Sequence, residues 1–365
     1  MNNLEKARQM INGIDKQMAE LFCERMRAAE LVADYKKEKG LPILDAGREE
    51  AVIRNNCKLI NDEKYTEYYT LFLRDVMSIS RSYQHRILNG MRVAYSGVEG
   101  AFAHIAAGKI FDGADRIAYS SFSAAYNAVV QGECDCAVLP VENSNAGDVG
   151  QVLDLIFSGS LYINGIYDLS VTQNLLGING AALSDIKYVI SQPKAIEQCE
   201  TYIQKNGFNV IACENTALAA KQVASRGDKS YAAIASIETA ELYGLDVIDK
   251  NINENNVNTT RFAVLSRSLH KKTDNTPDTH SVLLFTVRNE ASALAKAIDV
   301  IGKHNFNMQS LSSRSMKGLL WQYYFYIEVE GNLNSDEGKN MLAELARYCD
   351  KLKVAGTFKN HIDLK

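Results

Sequence analysis

Proline and tryptophan are scarce in this 365-residue chain, which has four prolines and one tryptophan. No stretch approaches the ~20 apolar residues of a membrane span, and the charged N-terminus lacks the apolar core of a signal peptide. An excess of one charge is also missing, because 40 Lys and Arg stand against 44 Asp and Glu, a net charge of −4. These absences disfavour nucleic-acid and membrane-surface proteins and predict a cytoplasmic location.

Cysteine is present without any paired spacing. The seven residues are scattered through predicted helices and strands, so the pattern predicts reduced, buried thiols rather than disulfides. No C-x-x-C and no histidine cluster accompanies them, and we expect no metal site. The cysteines are Cys23, Cys57, Cys134, Cys136, Cys199, Cys213 and Cys349.

The chain changes its hydrophobic pattern twice, which predicts a multidomain protein. Residues 1–89 have helical periodicity, with a first helix running to about Lys39, a second over 46–61 and a third ending at Asn89. Residues 91–268 alternate short apolar strands with helices, as in an α/β domain. The polar run 267–279 has the composition of a linker. Residues 280–357 follow the order βαββαβ of a small ferredoxin-like module.

The first segment places cations on an apolar helical stripe. Arg25 and Lys36 lie about 20° apart around the first helix, on the side that should be core. Either could instead snorkel to solvent along the helix edge. Asp45, Arg48, Glu49, Ser80 and Gln84 add a polar cluster on the other two helices, so the pattern indicates a cationic pocket in a helical bundle.

This pattern resembles the all-helical chorismate mutase family. The resemblance implies rearrangement of chorismate to prephenate without a cofactor, with Lys36 and Gln84 donating to the ether oxygen and Glu49 holding the ring hydroxyl. Arg8 lies ~26 Å along the helix from Arg25 and ~100° around it, so it would complete the pocket of a partner in an intertwined dimer. The family positions fall on Arg8, Arg25, Lys36, Asp45, Arg48, Glu49, Ser80 and Gln84.

The α/β domain has four polar loops at predicted strand ends, at residues 96–100, 140–147, 191–199 and 258–262. By themselves these loops indicate a two-lobed domain that binds a small carboxylate. The motifs Thr260-Arg261-Phe262, Glu142-Asn143-Ser144 and Ser191 to Gln198 resemble the prephenate dehydratase family. This resemblance implies a two-lobed fold like that of periplasmic binding proteins. Thr260 would donate to the leaving hydroxyl, and Arg261 would clamp a carboxylate or support the motif. Asn143, Ser191 and Gln198 would orient the substrate, and Glu142, Ser144 and Phe262 belong to the same set of binding motifs.

Three positions depart from the usual family motifs, where Val98, Ala103 and Gln192 replace Pro, Ser and His. We interpret these replacements as changes in loop conformation, because the Thr-Arg-Phe motif, Asn143 and Gln198 are intact.

The C-terminal module resembles an ACT domain, which implies a site for L-phenylalanine as effector. The candidate effector residues are Ser292, Ala293, Leu294, Ser313 and Arg314. The family motif Gly-Ala-Leu is Ser292-Ala293-Leu294 in this chain, and the family motif Glu-Ser-Arg-Pro is Ser312-Ser313-Arg314-Ser315. These differences predict that inhibition by L-phenylalanine is weaker than the family norm, or absent.

Together the resemblances imply an enzyme with two activities, chorismate mutase and prephenate dehydratase, in phenylalanine biosynthesis. Its substrates would be chorismate and prephenate, it would need no cofactor, and it would form a homodimer or a larger homo-oligomer. Two alternatives stay open at this stage: a dehydratase that prefers arogenate, and a ligand-binding regulator that senses aromatic amino acids without turnover.

Overall fold

The computed structural model describes residues 2–254, 258–269, 278–316, 318, 321–359 and 362–364. Residues 270–277 of the predicted linker lie outside these ranges. The chain divides into two compact units, one formed by residues 1–92 with 132–134 and the other by 93–131 with 135–365. Within the described ranges, no helix is both long enough and apolar enough to cross a membrane.

The first unit consists of three helices, α1 (Asn3–Lys39), α2 (Ala46–Cys57) and α3 (Thr66–Asn89). Asn2 and Glu5 form a capping box at the start of α1, and Gly40 ends it in the left-handed conformation. The predicted ends at Lys39 and Asn89 are confirmed. The second helix ends at Cys57 and is shorter than the predicted 46–61. After Cys57, hydrogen bonds between residues three apart close the chain into a turn.

Helix α1 exposes an apolar stripe in this single chain. The stripe comprises Leu4, Ile11, Ile14, Met18 and Leu21, whose exposed fractions lie between 43% and 63%. A helix of 37 residues is about 55 Å long, and only Ala29 and Ala33 of α1 are buried. The unit therefore leaves apolar surface that an isolated helical bundle would normally bury.

The second unit contains two sheets. The strands are β1 (Arg92–Ser96), β2 (Asp115–Tyr119), β3 (Cys136–Asn143), β4 (Gly147–Asp148), β5 (Tyr162–Ser170), β6 (Asn174–Gly177), β7 (Tyr188–Ser191), β8 (Asn209–Ala212), β9 (Tyr231–Ala235), β10 (Asp246–Asp249), β11 (Thr259–Ser266), β12 (Thr279–Val287), β13 (Met308–Ser315), β14 (Tyr323–Glu330), β15 (Cys349–Lys359) and β16 (Ile362–Leu364). The helices are α4 (Phe102–Ile110), α5 (Phe122–Val130), α6 (Gly150–Ser158), α7 (Pro193–Glu197), α8 (Glu200–Asn206), α9 (Thr216–Arg226), α10 (Ile237–Tyr243), α11 (Ala293–Lys303) and α12 (Asp336–Leu345).

The α/β part has two lobes, each built on its own sheet. Strands β5, β11, β3, β1 and β2 are neighbours in the first lobe, and the second sheet has the order β10-β6-β9-β7-β8. The chain passes between the lobes twice, from β5 to β6 and from β10 back to β11. The two crossings are hydrogen-bonded to each other, since Ile252 donates its backbone N–H to the carbonyl of Gln173 at 2.9 Å. Polar residues at the crossings are thereby held between the lobes.

The C-terminal module follows the predicted order, β12-α11-β13-β14-α12-β15. Its strands lie in the order β13-β14-β12-β15 with antiparallel neighbours, which is the ferredoxin-like arrangement. Helices α11 and α12 bury one face of this sheet around Phe285, Ile301 and Ile327. A single parallel bridge between β15 and β5 joins the module to the first lobe in one continuous sheet.

Candidate active sites

A cavity of about 160 Å³ opens among the three helices of the first unit. Its wall combines cations, carboxylates and amide or hydroxyl groups with four apolar residues. Seven of the eight residues predicted from the sequence line it, and the exposed Arg8 of the same chain lies outside it. The lining residues are Arg25, Val32, Lys36, Ile43, Asp45, Arg48, Glu49, Val52, Met77, Ser80, Arg81 and Gln84.

The two cations of α1 both reach into this helical cavity. Arg25 donates to the Ser80 hydroxyl and, at 3.4 Å, to the Val76 carbonyl. Burial lowers the pKa of the Arg25 guanidinium, which stays charged at neutral pH because its ordinary value is 12.5. The Lys36 ammonium donates to the backbone carbonyl of Ile43, an acceptor that an anionic ligand could replace. Both side chains thus line the cavity rather than extending along a solvated helix edge.

Carboxylates and an amide complete the cavity. Glu49 forms an ion pair with Arg81, a residue that the sequence reasoning missed because it resembles an ordinary exposed helix cation. Asp45 accepts the backbone N–H of Arg48 at 2.9 Å and so caps α2, which gives it a structural task. Gln84 is 7% exposed, and its Oε1 lacks a hydrogen-bond partner among the described residues. A buried amide oxygen without a partner at a cavity wall favours a ligand that donates a hydrogen bond there, such as a hydroxyl.

The first lobe carries a second polar site at the start of β11, where Thr260 is the second residue of the strand. Thr260 lies opposite Asn143 of β3, and the Asn143 side-chain nitrogen donates to the Thr260 hydroxyl oxygen at 2.9 Å. The side-chain oxygen of Asn143, Oδ1, accepts hydrogen bonds from the backbone N–H groups of Asn145 and Ala146. These bonds hold the side-chain amide in one orientation. Because the Thr260 oxygen accepts from Asn143, its own proton is directed elsewhere. The pair therefore presents Thr260 as a hydrogen-bond donor.

A chain of amides links this pair to the second lobe. Asn143 also donates to the Asn258 side-chain oxygen at 2.9 Å, and Asn258 in turn donates to Gln198 at 3.3 Å. Gln198 lies 3.5 Å from the Gln173 amide nitrogen at the other crossing. These hydrogen bonds thus connect Thr260 and Asn143 to Gln198 through Asn258. Gln173 was missed, although a Gln-Asn pair at the start of an apolar strand is a polar signal that could have indicated it.

Arg261 supports the motif instead of lining the site. Its guanidinium contacts Glu142 at 2.9 Å, Asp168 at 3.8 Å and Glu328 of the C-terminal module at 2.7 Å. Burial opposes the charged form, but Glu328 and Glu142 raise the pKa of Arg261 above its ordinary value. Of the two roles considered for Arg261, carboxylate clamp and motif support, this geometry favours support. Glu142 is occupied by the same ion pair.

Three further predicted residues are used by the fold itself. The Ser191 hydroxyl is buried and donates to the Ile234 carbonyl at 2.6 Å, so the prediction that it orients substrate needs correction. Phe262 is 2% exposed and packs in the sheet as a core residue. The Ser144 hydroxyl accepts the backbone N–H of Thr259 at 3.0 Å, which fastens the loop beside Thr260.

Cysteine chemistry is unsuited to this site. Burial raises the pKa of the Cys199 thiol, next to Gln198, to about 12. The thiol is therefore protonated at neutral pH and is a poor nucleophile.

The predicted effector residues do not line one cavity together among the described residues. A cavity of about 360 Å³ in the C-terminal module includes Leu294, but Ser292, Ala293, Ser313 and Arg314 do not line it. Arg314 is paired with Asp154 of α6 at 3.3 Å, so it holds the module against α6 instead of presenting a free cation. Ser292 precedes α11 with φ of 65°, the left-handed region in which glycine costs least.

Together, the cationic cavity of the helical unit and the threonine hydroxyl of the two-lobed α/β domain are two candidate active sites, as expected of an enzyme with two activities. Comparison with known protein families gives one match for the helical unit and one for the α/β domain. Residues 7–85 match the chorismate mutase type II family, and residues 93–270 match the prephenate dehydratase family.

Relatives with both domains are similar along the whole chain. The bifunctional chorismate mutase/prephenate dehydratase of Enterobacter agglomerans is 31% identical over 98% of this chain and 96% of its own length. Arogenate dehydratase 2 of Petunia hybrida is 32% identical over 73% of this chain and 71% of its own length. The chain belongs to the bifunctional chorismate mutase/prephenate dehydratase family.

Solved structures match about three quarters of the chain. A prephenate dehydratase from Arthrobacter aurescens in complex with L-Phe superposes with a TM-score of 0.67 at 25% identity, covering 74% of this chain and 90% of that one. A protein described as a novel type of quorum quenching acylase superposes with a TM-score of 0.68 at 30% identity, covering 74% of this chain and 98% of that one.

Proposed function

We propose that this chain catalyses two consecutive reactions, the rearrangement of chorismate to prephenate and the decarboxylating dehydration of prephenate to phenylpyruvate, for phenylalanine biosynthesis. The observation that carries the proposal is the convergence of Arg25, Lys36, Glu49 and Gln84 in one cavity of a unit separate from the Thr260 and Asn143 pair. The family to which the chain belongs supports both activities.

The helical cavity suits the first reaction. Rearrangement of chorismate needs no nucleophile and no proton transfer, only a folded conformer and stabilisation of negative charge on the breaking ether oxygen. Arg25 and Arg48 would bind the two carboxylates, while Lys36 would donate to the ether oxygen. Gln84 would donate to the same oxygen through its amide nitrogen, and Glu49 would accept the ring hydroxyl.

The Thr260 site suits the second reaction. Loss of CO2 breaks the bond between the ring carbon and its carboxylate, and that electron pair moves through the ring to expel the hydroxyl opposite. The departing oxygen needs a proton to leave as water. Thr260, whose hydroxyl oxygen accepts from Asn143, would donate a hydrogen bond to that oxygen, with the proton ultimately supplied by solvent. Gln198 and Asn258, held between the lobes, would orient the substrate.

The apolar stripe of α1 supports a homodimer. Leu21, Ile14 and Ile11 are exposed along one helix of about 55 Å, which a second copy of the same helix would cover. Arg8 lies outside the cavity of its own chain, and in an intertwined dimer it would complete the partner's cavity. A larger assembly and a cytoplasmic location stay predictions.

We propose that the C-terminal module is an ACT domain, on the basis of its ferredoxin-like strand order. The L-Phe bound to the related Arthrobacter enzyme supports L-phenylalanine as the effector to test. The altered residues Ser292, Ser312 and Ser315 favour a weak response to L-phenylalanine.

The two alternatives are less well supported. A regulator without turnover leaves the cationic helical cavity unexplained. An arogenate-preferring dehydratase is represented by a relative that covers 73% of this chain, whereas the relatives that cover 98% of it are named prephenate dehydratases. Purified protein supplied separately with chorismate, prephenate and arogenate tests all three. We expect turnover of the first two and a kcat/KM for prephenate well above that for arogenate. A higher value for arogenate would reverse the dehydratase assignment, and binding without turnover would favour the regulator.

A further inference from the structure

A buried carboxylate of the C-terminal module reaches the Thr260 motif. Glu328 of β14 is 0% exposed, and its Oε2 accepts from the Arg261 guanidinium at 2.7 Å. The other carboxylate oxygen lies 2.9 Å from Nδ1 of His280. A fully buried carboxylate is retained only when it is paired, and here the pairing crosses from the module to the first lobe.

Arg261 and Thr260 are successive residues of one strand, so their side chains leave opposite faces of the sheet. The same alternation holds on β3, where Glu142 precedes Asn143. The register pairs Thr260 with Asn143 and Arg261 with Glu142. Arg261 and Glu142 are therefore the cross-strand pair directly adjacent to Thr260 and Asn143.

The backbone ladder is interrupted at this point. After Arg261 pairs with Glu142, Phe262 pairs with Pro140, which leaves Val141 as an extra residue in β3. The strand ends that carry Thr260 and Asn143 lie beyond this bulge. Side-chain contacts from Arg261 to β3, β5 and β14 brace them where the ladder is irregular.

We propose that Glu328 is a positioning residue for the dehydration reaction, acting through Arg261 to fix the Thr260 and Asn143 pair. The inference rests on the proposed function, because it assigns a role in that reaction to a residue outside the site. It makes the C-terminal module a structural part of the dehydratase site, whether or not the module binds an effector. A displacement of about 1 Å at a catalytic group can cost about 10²-fold in rate.

The test compares Glu328→Gln, which keeps the shape and removes the charge, with Glu328→Asp, which keeps the charge on a shorter side chain. We expect Glu328→Gln to lower kcat for prephenate dehydration about 10- to 100-fold, with KM changed less than threefold. Glu328→Asp should recover part of the loss. Chorismate turnover should stay within twofold of wild type, because its residues belong to the other unit.

Two variants of the same strand separate positioning from loss of folding. Ile327→Ala removes a fully buried side chain from the opposite face of β14 and destabilises the module without touching Arg261. Glu330→Gln removes a carboxylate that contacts Gln309. Both should keep kcat within threefold of wild type when assayed well below their melting temperatures.

The outcomes are distinct. A kcat for Glu328→Gln within twofold of wild type, or a loss no larger than that of Ile327→Ala at equal stability, overturns the positioning role. A wild-type protein that does not dehydrate prephenate overturns the proposed function instead.

Discussion

The side-chain nitrogen of Asn143 lies 2.9 Å from the hydroxyl oxygen of Thr260, across the antiparallel pair β3 and β11. This contact makes Asn143 the donor and the threonine oxygen the acceptor, which leaves the threonine proton available for a substrate. The most direct consequences concern Thr260 itself.

Thr260→Ala should abolish prephenate dehydration and leave chorismate rearrangement near wild type. Thr260→Ser should retain part of the activity, because the hydroxyl is the group that donates. Phenylpyruvate formation and chorismate loss are measured separately for each variant, with circular dichroism as the control for folding. Parent-rate dehydration by the alanine variant would show that Thr260 has another role.

Lys36→Ala should lower chorismate turnover by about 10²-fold or more, because its ammonium donates mostly in the transition state. Arg8→Ala should also impair it, although Arg8 lies outside the cavity of its own chain. If Arg8 serves the partner, mixing the two variant proteins should regenerate some intact cavities. Full activity in either single variant, or no recovery in verified mixed dimers, would argue against this arrangement.

Inhibition by L-phenylalanine should be weaker than is usual in the family, or absent. Ser292 holds a left-handed conformation where glycine would allow closer backbone approach, and Arg314 is engaged by Asp154. An effector acts only through its different affinity for two states, so each lost contact reduces the coupling. Titration of L-phenylalanine against dehydratase activity measures this. Cooperative inhibition at micromolar concentrations would contradict it.

If inhibition is absent, the triple change Ser292→Gly, Ser312→Glu and Ser315→Pro should restore part of it. The single change Ser292→Gly should also stabilise the protein by about 0.5–1 kcal/mol, since it relieves an unfavourable backbone conformation. A lower melting temperature for this variant would indicate that the serine makes a compensating contact.

Lys353 predicts a pH dependence of stability. Its ammonium donates to the carbonyls of Ile156 at 2.5 Å and Gly159 at 2.6 Å, at the end of α6. Burial, helped by the charge of Lys351, lowers the pKa of Lys353 from 10.5 to about 8. The unfolded chain therefore binds this proton more tightly than the folded one. The resulting penalty is complete below pH 8 and disappears as the pH rises towards 10.5.

The wild type should accordingly gain about 1–2 kcal/mol over this interval relative to Lys353→Met, which lacks the titration. Calorimetric melting between these two pH values measures the difference. Lys359→Met, which removes an exposed lysine of the same strand, is the control and should follow the wild type. Parallel profiles for wild type and Lys353→Met would refute the effect.

Sequence periodicity predicted the side chains that line a site on one helix, but not the ion pairs between residues on different elements. The positions of Arg25 and Lys36 followed from helical periodicity, because one helix face repeats every three to four residues. Thr260 was found only through its motif, since a threonine in a strand is otherwise unremarkable. The burial of Glu328 depends on contact with Arg261, which lies 67 residues away in sequence, and strand alternation alone does not reveal such a contact. Arg81 was missed for a similar reason, because its partner Glu49 lies on another helix.

One measurement tests the two-site assignment most directly. Lys36→Ala and Thr260→Ala proteins are supplied with chorismate alone at neutral pH, separately and mixed, and all three metabolites are quantified by mass spectrometry. Thr260→Ala alone should accumulate prephenate, Lys36→Ala alone should leave chorismate largely unchanged, and the mixture should produce phenylpyruvate. Failure of the mixture to produce phenylpyruvate, while wild type does so under the same conditions, would contradict two independent sites on this chain.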